Sequence, residues 1–318
     1  MFLINLLFIS KEESFMSYDA FVSHVTSSLK QRLGEEYVVQ VNQITKNNSL
    51  VLDGLSIFQK DSFIAPTVYL QECYDRYRGG LPMDALLDEI LSLYHAHAGS
   101  PKFTLEMLER TDFVLPHIAF RLIHRASNEQ LLKTVPYRPI LDLAMVCFLH
   151  LGKEGKRHLT TRITHDHLKL WEISEDDLFR IALQNTPSLF PARLCPVREA
   201  VDQMMDFPGP RKSEAPDFLY LLTNRPGIDG AAAMLYPSLL ADFAQKRGQD
   251  LVILPSSVHE VLLMPTDDPS DGDGLSQLIT QINRQQVPKD ERLSNQAYLF
   301  SRETGQLSVL SSSAETSL

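Results

Sequence analysis

From residue 141 to 149 the chain reads Leu-Asp-Leu-Ala-Met-Val-Cys-Phe-Leu, broken only by Asp142. A run this short and this apolar suits a strand buried on both faces, with a neighbour along each edge. That demand constrains everything around it. The chain must supply flanking strands and enough apolar side chains to cover two faces of a sheet. Residues 118–124 and 158–163 read as strands on either side, the second reached across a turn at Gly152-Lys-Glu-Gly155. Val135-Pro-Tyr-Arg-Pro139 interrupts the chain before the run. The hydrophobic fraction, 44%, is enough for such a core.

Before this run, Phe21, Val22, Val25, Leu29 and Leu33 fall on one helical face, and Gly34 stops it. Residues 37–44 alternate as a strand, Lys46-Asn-Asn48 makes a turn, and 49–58 return as a second strand. Residues 65–70 continue extended, and helices follow over 71–78 and 84–97. This order is helix, hairpin, helix, helix. Ser127-Asn-Glu-Gln130, still before the run, has capping-box chemistry; after the run, Thr164 and Ser174 each cap a helix, and residues 197–205 form a short one. Residues 206–216 have the composition of a linker or exposed loop. Strands are expected over 218–223, 251–254 and 260–264, with a helix from Gly230 to Arg247 between the first two. A helix over 275–282 and a hairpin of 297–301 with 307–310 complete the pattern. The fold expected is α+β, with mixed or antiparallel sheets and helices packed on them. It divides near residue 210 into two lobes, 16–210 and 211–310, with a single compact body as the alternative. Residues 311–318 read as a disordered tail.

The opening Met1-Phe-Leu-Ile-Asn-Leu-Leu-Phe-Ile9 lacks a basic start and is too short to cross a bilayer. Lys11-Glu12-Glu13 can be encoded by a purine-rich ribosome-binding sequence, placed upstream of Met16. Residues 1–15 are therefore expected to be a spurious extension, with the chain proper starting at Met16. The 40 acidic residues exceed the 30 Lys and Arg, giving a net charge of -10. That balance argues against general nucleic-acid binding, and no membrane contact is expected. The three cysteines, Cys73, Cys147 and Cys195, make neither a disulfide framework nor a zinc cage. A reducing cytoplasm fits them best.

Candidate chemistry centres on Pro255-Ser-Ser-Val-His-Glu260. His259 beside Glu260 suits acid–base work, and Ser256, Ser257 and Asn224 are the polar residues that could accompany it. The sequence opposes this in two ways: there is no H-E-x-x-H, and neither serine stands in a G-x-S-x-G elbow. The plainer reading is a connection between two strands. His165-Asp-His167 and His95-Ala-His97 look like metal pairs, but residues two apart diverge on a helix, and both sites read helical. Cys147 sits in the apolar run, where a thiol is inert. Asp267 to Gly274 lacks the register of a calcium loop. No metal ligands and no cofactor site are expected.

Several segments carry a resemblance. Leu221-Leu-Thr-Asn224, Gly230-Ala-Ala-Ala-Met-Leu-Tyr236, Ile253-Leu-Pro-Ser-Ser-Val-His-Glu-Val-Leu-Leu-Met-Pro265 and Asn295 to Gly305 are among them, with Lys46-Asn-Asn48 and Ala65 to Leu70. Together they resemble a bacterial domain-of-unknown-function family of low-GC Gram-positive gut bacteria, across nearly all of 16–310. The resemblance implies a coherent cytosolic protein and carries no activity or catalytic residues. The expected function is a non-catalytic interaction or regulatory protein with an unidentified protein partner. The alternative is a hydrolase-like enzyme with His259 as general base, Glu260 or Asn224 orienting it, and Ser256 or Ser257 polarising the substrate. Whether the chain is an enzyme stays open on the sequence.

Overall fold

The computed structural model describes residues 15–59, 67–97, 105–154, 157–204, 217–269 and 271–311. The extension expected before Met16 (all but residue 15), the linker over 206–216 and the tail over 312–318 lie outside them. The chain divides into two compact units. One takes the residues up to Thr45 and Val51–Thr104; the other takes Lys46–Leu50 and the chain from Leu105 onward.

In the first unit, helix α1 (Tyr18–Leu33) buries Phe21, Val25 and Leu29, four residues apart on one face. Ser17 caps its start by accepting the Ala20 N–H, and Gly34 ends it. Strands β1 (Tyr37–Thr45) and β2 (Val51–Gln59) pair antiparallel from Tyr37↔Gln59 to Thr45↔Val51. Strand β3 (Thr67–Tyr69) adds to the other edge of β2. Helices α2 (Leu70–Arg78) and α3 (Met83–His97) follow, as the sequence predicts. Leu55 and Ile57 of the sheet meet Leu70, Leu86, Leu87 and Ile90 of these helices in one core.

The second unit opens with two short helices, α4 (Leu105–Glu109) and α5 (Thr111–Val114), then strand β4 (Ile118–His124). A short helix α6 (Glu129–Leu132) leads to β5 (Tyr137–Ile140), β6 (Leu143–Glu154) and β7 (Arg157–Arg162). Strand β6 is the apolar run. It pairs with β4 along one edge and with β5 and then β7 along the other. Both faces are covered, as such a run requires. Met145, Cys147 and Leu149 join the main core, while Phe148 packs with Ala119 and Phe190 on the opposite side. Each fully buried side chain of this size contributes about 1.5–3 kcal/mol.

Helices α7 (His165–Trp171) and α8 (Glu175–Leu189) come next. A second sheet is then built from β8 (Ala192–Pro196), β9 (Tyr220–Asn224), β10 (Asp250–Leu254), β11 (Val261–Thr266), β12 (Tyr298–Phe300) and β13 (Leu307–Val309). Helix α9 (Val197–Met204) follows β8, α10 (Leu239–Arg247) precedes β10, and α11 (Gly272–Gln286) follows β11. The strand order is β13-β12-β10-β11-β9-β8, and every pairing is antiparallel. The fold is α+β, with three antiparallel sheets among the described residues.

Four details depart from the sequence reading. The segment 135–139, read as a break because of its two prolines, contributes to edge strand β5, where Pro139 is opposite Ala144. The two units do not divide near residue 210, because β8 and β9 pair across that point from Ala192↔Asn224 to Pro196↔Tyr220. The helix expected from Gly230 is a 3-10 turn over Gly230–Leu235, and α10 starts only after Ser238, which is left-handed at φ 60°. Strand β8 was hidden by Pro191 and Pro196 at its ends, which read as chain breaks.

Candidate functional site

The segment 255–260 between β10 and β11 is tied to the segment 291–294. Ser294 N–H donates to the Pro255 carbonyl at 2.9 Å, Leu293 N–H to Ser256 at 3.0 Å, and Val258 N–H to Glu291 at 2.8 Å. Ser257 and Arg292 form an isolated antiparallel bridge. Ser256 thus takes part through its carbonyl. Ser257 is buried, and its Oγ accepts the His259 N–H at 3.0 Å. The structure brings Ser257, His259 and Glu260 together. Burial pushes the Glu260 carboxyl up from its ordinary value, His259 and Ser257 act against that, and Glu291 adds to it.

His259 is held at three further atoms. Its carbonyl accepts the Thr223 hydroxyl at 2.7 Å, its Nδ1 accepts the Asp229 N–H at 3.2 Å, and its Nε2 lies 3.7 Å from Glu291 Oε1. A backbone N–H at Nδ1 fixes the tautomer: the ring proton sits on Nε2 and points toward a carboxylate. Asn224 does separate work. Its Nδ2 donates to the Ile228 carbonyl at 2.7 Å, and its Oδ1 accepts Gly227 N–H at 2.8 Å and Ile228 N–H at 3.2 Å. Both ends of that buried amide close the loop after β9.

Sequence reasoning missed the residues that complete this region. Asp229 has a left-handed backbone at φ 52°, which Asp tolerates better than most residues. Its carboxylate lies 3.2 Å from Arg121 Nη1, and the Arg121 guanidinium stacks 4.1 Å over the Phe148 ring. Nothing in the sequence links positions 121, 148 and 229: the sheet register sets 121 beside 148, and the loop after β9 brings 229 to Arg121.

A second array was also missed. Ser127 Oγ lies 2.7 Å from His124 Nδ1, and His124 Nε2 lies 3.6 Å from Asp142 Oδ2. Asp142 is held by the Ser294 hydroxyl at 2.7 Å and by the Tyr298 hydroxyl. The residue types are those of a hydrolytic triad, but His124 Nδ1 also accepts the Ser127 N–H at 3.3 Å. Its lone pair is therefore committed to capping the turn after β4. His167 does the same on α7, where its Nδ1 accepts the Thr164 N–H at 3.0 Å in a capping box. The neighbouring His165 turns away to Glu175 at 3.4 Å, so the H-x-H pair diverges as a helix dictates. Asp271, from the acidic loop, caps α11 by accepting the Gly274 N–H at 3.0 Å. All three cysteines are free and buried, and burial pushes the Cys147 thiol up.

The model of a family of unknown function, DUF5688, matches residues 18–302. The chain belongs to the DUF5688 family. No curated protein and no solved structure matches it. The DUF5688 match contains every candidate residue discussed above. Among the described residues of this DUF5688 chain, no group of three or more His, Cys, Asp or Glu could hold a metal ion, and no helix is long and apolar enough to cross a membrane.

One pH effect follows from the histidines on β6 and β7. His150 Nε2 and His158 Nδ1 lie 3.0 Å apart, beside the Phe190 ring. Burial, then the charges of His158 and Lys153, push His150 down to about 4. Burial and Lys153 also lower His158, while Asp229 acts against them. The folded form thus binds fewer protons than the unfolded chain, whose histidines titrate near about 6.5. The contribution is present above about pH 6.5 and is lost as pH falls toward about 4. Melting temperature should drop through that window, and His150→Gln should make the drop shallower. An unchanged slope in the variant would rule out the assignment.

Proposed function

We propose that this chain is a non-catalytic interaction or regulatory protein working in the cytoplasm. The observation that carries the reading is the engagement of His259. Its only acceptor nitrogen takes the Asp229 N–H, so a general base at this position would first have to break a backbone bond. Ser257 and Asn224 are bonded within the same framework, which supports a structural role for the cluster. Three buried, unpaired cysteines support a reducing compartment. The hydrolase reading draws on the raised Glu260 carboxyl beside His259. Its geometry is weaker, because His259 Nε2 carries the proton and faces Glu291.

The test is His259→Ala. A framework residue should cost about 1–3 kcal/mol, since the Asp229 N–H loses its acceptor. His259→Asn, whose side-chain oxygen can accept the same N–H, should recover part of that loss. A His259→Ala protein with the wild-type unfolding curve would mean that the ring is kept for chemistry, and would overturn the reading.

A further inference from the structure

We propose that His150 and His158 form a binding site for a divalent transition-metal ion of square-planar or octahedral preference, nickel(II) or copper(II). Nε2 of His150 and Nδ1 of His158 face each other at 3.0 Å, with ring centroids 5.0 Å apart. Metal–imidazole bonds run about 2.0–2.1 Å, so one ion on both of these nitrogens would subtend an angle of about 90–97°. That is the angle between neighbouring ligands of a square-planar or octahedral ion. A tetrahedral ion such as zinc would hold the two nitrogens about 3.3–3.4 Å apart.

The strands deliver this geometry. His150 on β6 is opposite Thr160 on β7, and His158 lies two residues from Thr160. The histidines are therefore diagonal neighbours on one face of the sheet, ordinarily about 7–8 Å apart. A bulge between His150 and Gly152 shifts the register there, and Gly152 takes φ 125°, which suits glycine alone. The bulge bends β6 and turns the two rings toward each other. The Phe190 ring stands 4.9 Å from the His150 ring and 5.8 Å from the His158 ring, and supports both from one side.

Between two neutral rings at this distance, one N–H donates to the other nitrogen. A metal ion takes the place of that proton, which moves to the far nitrogen of its own ring. No proton is released, and both lone pairs then point at the ion. Burial lowers both histidines from their ordinary value, so both are neutral at pH 7, the form that ligates. Both side chains are half-buried, which gives the ion a path from solvent. Two protein ligands leave the remaining positions to water or to the donor atoms of a bound small molecule.

The site does not depend on the reading of His259, and either can fail alone. The experiment is calorimetric titration of the untagged full chain with Ni2+ and, separately, with Zn2+, near neutral pH in a buffer that binds neither. Saturable one-to-one binding of Ni2+ is expected, tighter than that of Zn2+. His150→Gln and His158→Gln should each raise the Ni2+ Kd about tenfold or more, since losing even a residue that only hydrogen-bonds a ligand costs that much. His24→Gln should leave it unchanged, because that exposed ring is on α1. Far-UV circular dichroism confirms that the variants are folded. The wild type loaded with Cu2+ gives a readout that needs no variant: an axial electron paramagnetic resonance spectrum with coupling to two imidazole nitrogens. Absence of saturable Ni2+ binding, Zn2+ binding as tight as Ni2+, equal weakening by His24→Gln, or a copper spectrum without imidazole coupling would each overturn the site.

Discussion

Asn48→Ala should destabilise the second unit by about 3 kcal/mol or more. Asn48 is buried, at 7% exposure, in the turn that the second unit claims. Its Nδ2 donates to the Lys289 carbonyl at 2.8 Å and to the Arg292 carbonyl at 2.7 Å. Its N–H donates to Asn128 Oδ1 at 2.9 Å, and its Oδ1 accepts from Asn128 Nδ2 at 3.1 Å. Removing the side chain strands two carbonyls and part of the Asn128 amide, each at about 1–3 kcal/mol if water does not enter. The backbone adds to this, because Asn48 is left-handed at φ 56°, where Ala is disfavoured by about 1–2 kcal/mol. Asn48→Gly separates the two effects: it accepts the backbone but restores no side-chain bond. Trp171, the sole tryptophan, is buried in the second unit and reports its unfolding in urea. If Asn48→Gly matched the wild type, the side-chain bonds would carry no stability.

Gly230→Ala should be at least as damaging, for a different reason. Gly230 has an ordinary backbone, so the constraint is space. A methyl group there would lie 2.2 Å from Thr223 Oγ1, 2.3 Å from the His259 carbonyl oxygen and 2.8 Å from the Asn224 N. Two of these atoms are backbone and the third is the hydroxyl that bonds His259. Relief requires β9 and the 255–260 segment to separate, breaking the Thr223–His259 bond. We expect a loss of about 3 kcal/mol or more, or failure to accumulate folded protein. Thermal unfolding of the purified variant checks this, and a shift of under about 2 °C would show that the two segments can yield.

The contrast between these sites shows what the sequence could reveal. Strand β6 was legible because burial on both faces leaves a continuous apolar run, and α1 because Phe21, Val25 and Leu29 repeat at helical spacing. The turn at Lys46-Asn-Asn48 was legible as a turn, since Asn tolerates the left-handed region. Its anchoring was not, because Lys289 and Arg292 lie more than 240 residues away. His259 and Glu260 stood out because they are adjacent. Their partners Asp229 and Glu291 come from other loops, and no local pattern marks either. Asn224 and Ser257 were correctly placed near the same strands, while their bonds to Ile228 and the His259 N–H emerge only from the fold. His124 reads only as the end of a strand and Ser127 as the start of a helix; Asp142, which faces His124, sits at the head of the apolar run.

The bond from Asn48 to Arg292 also sets a timetable. It joins residues 244 positions apart, and at translation rates of about 5–20 residues per second the second partner arrives about 12–50 seconds after the first. Throughout that interval the turn at 46–50 exists without the carbonyls it will hold, and the second unit cannot close. During synthesis Asn128, 80 residues downstream, is the first partner to reach Asn48, and the Asn48 side-chain amide N–H groups wait for the rest of the interval. Truncation before residue 289 would leave that amide without either carbonyl.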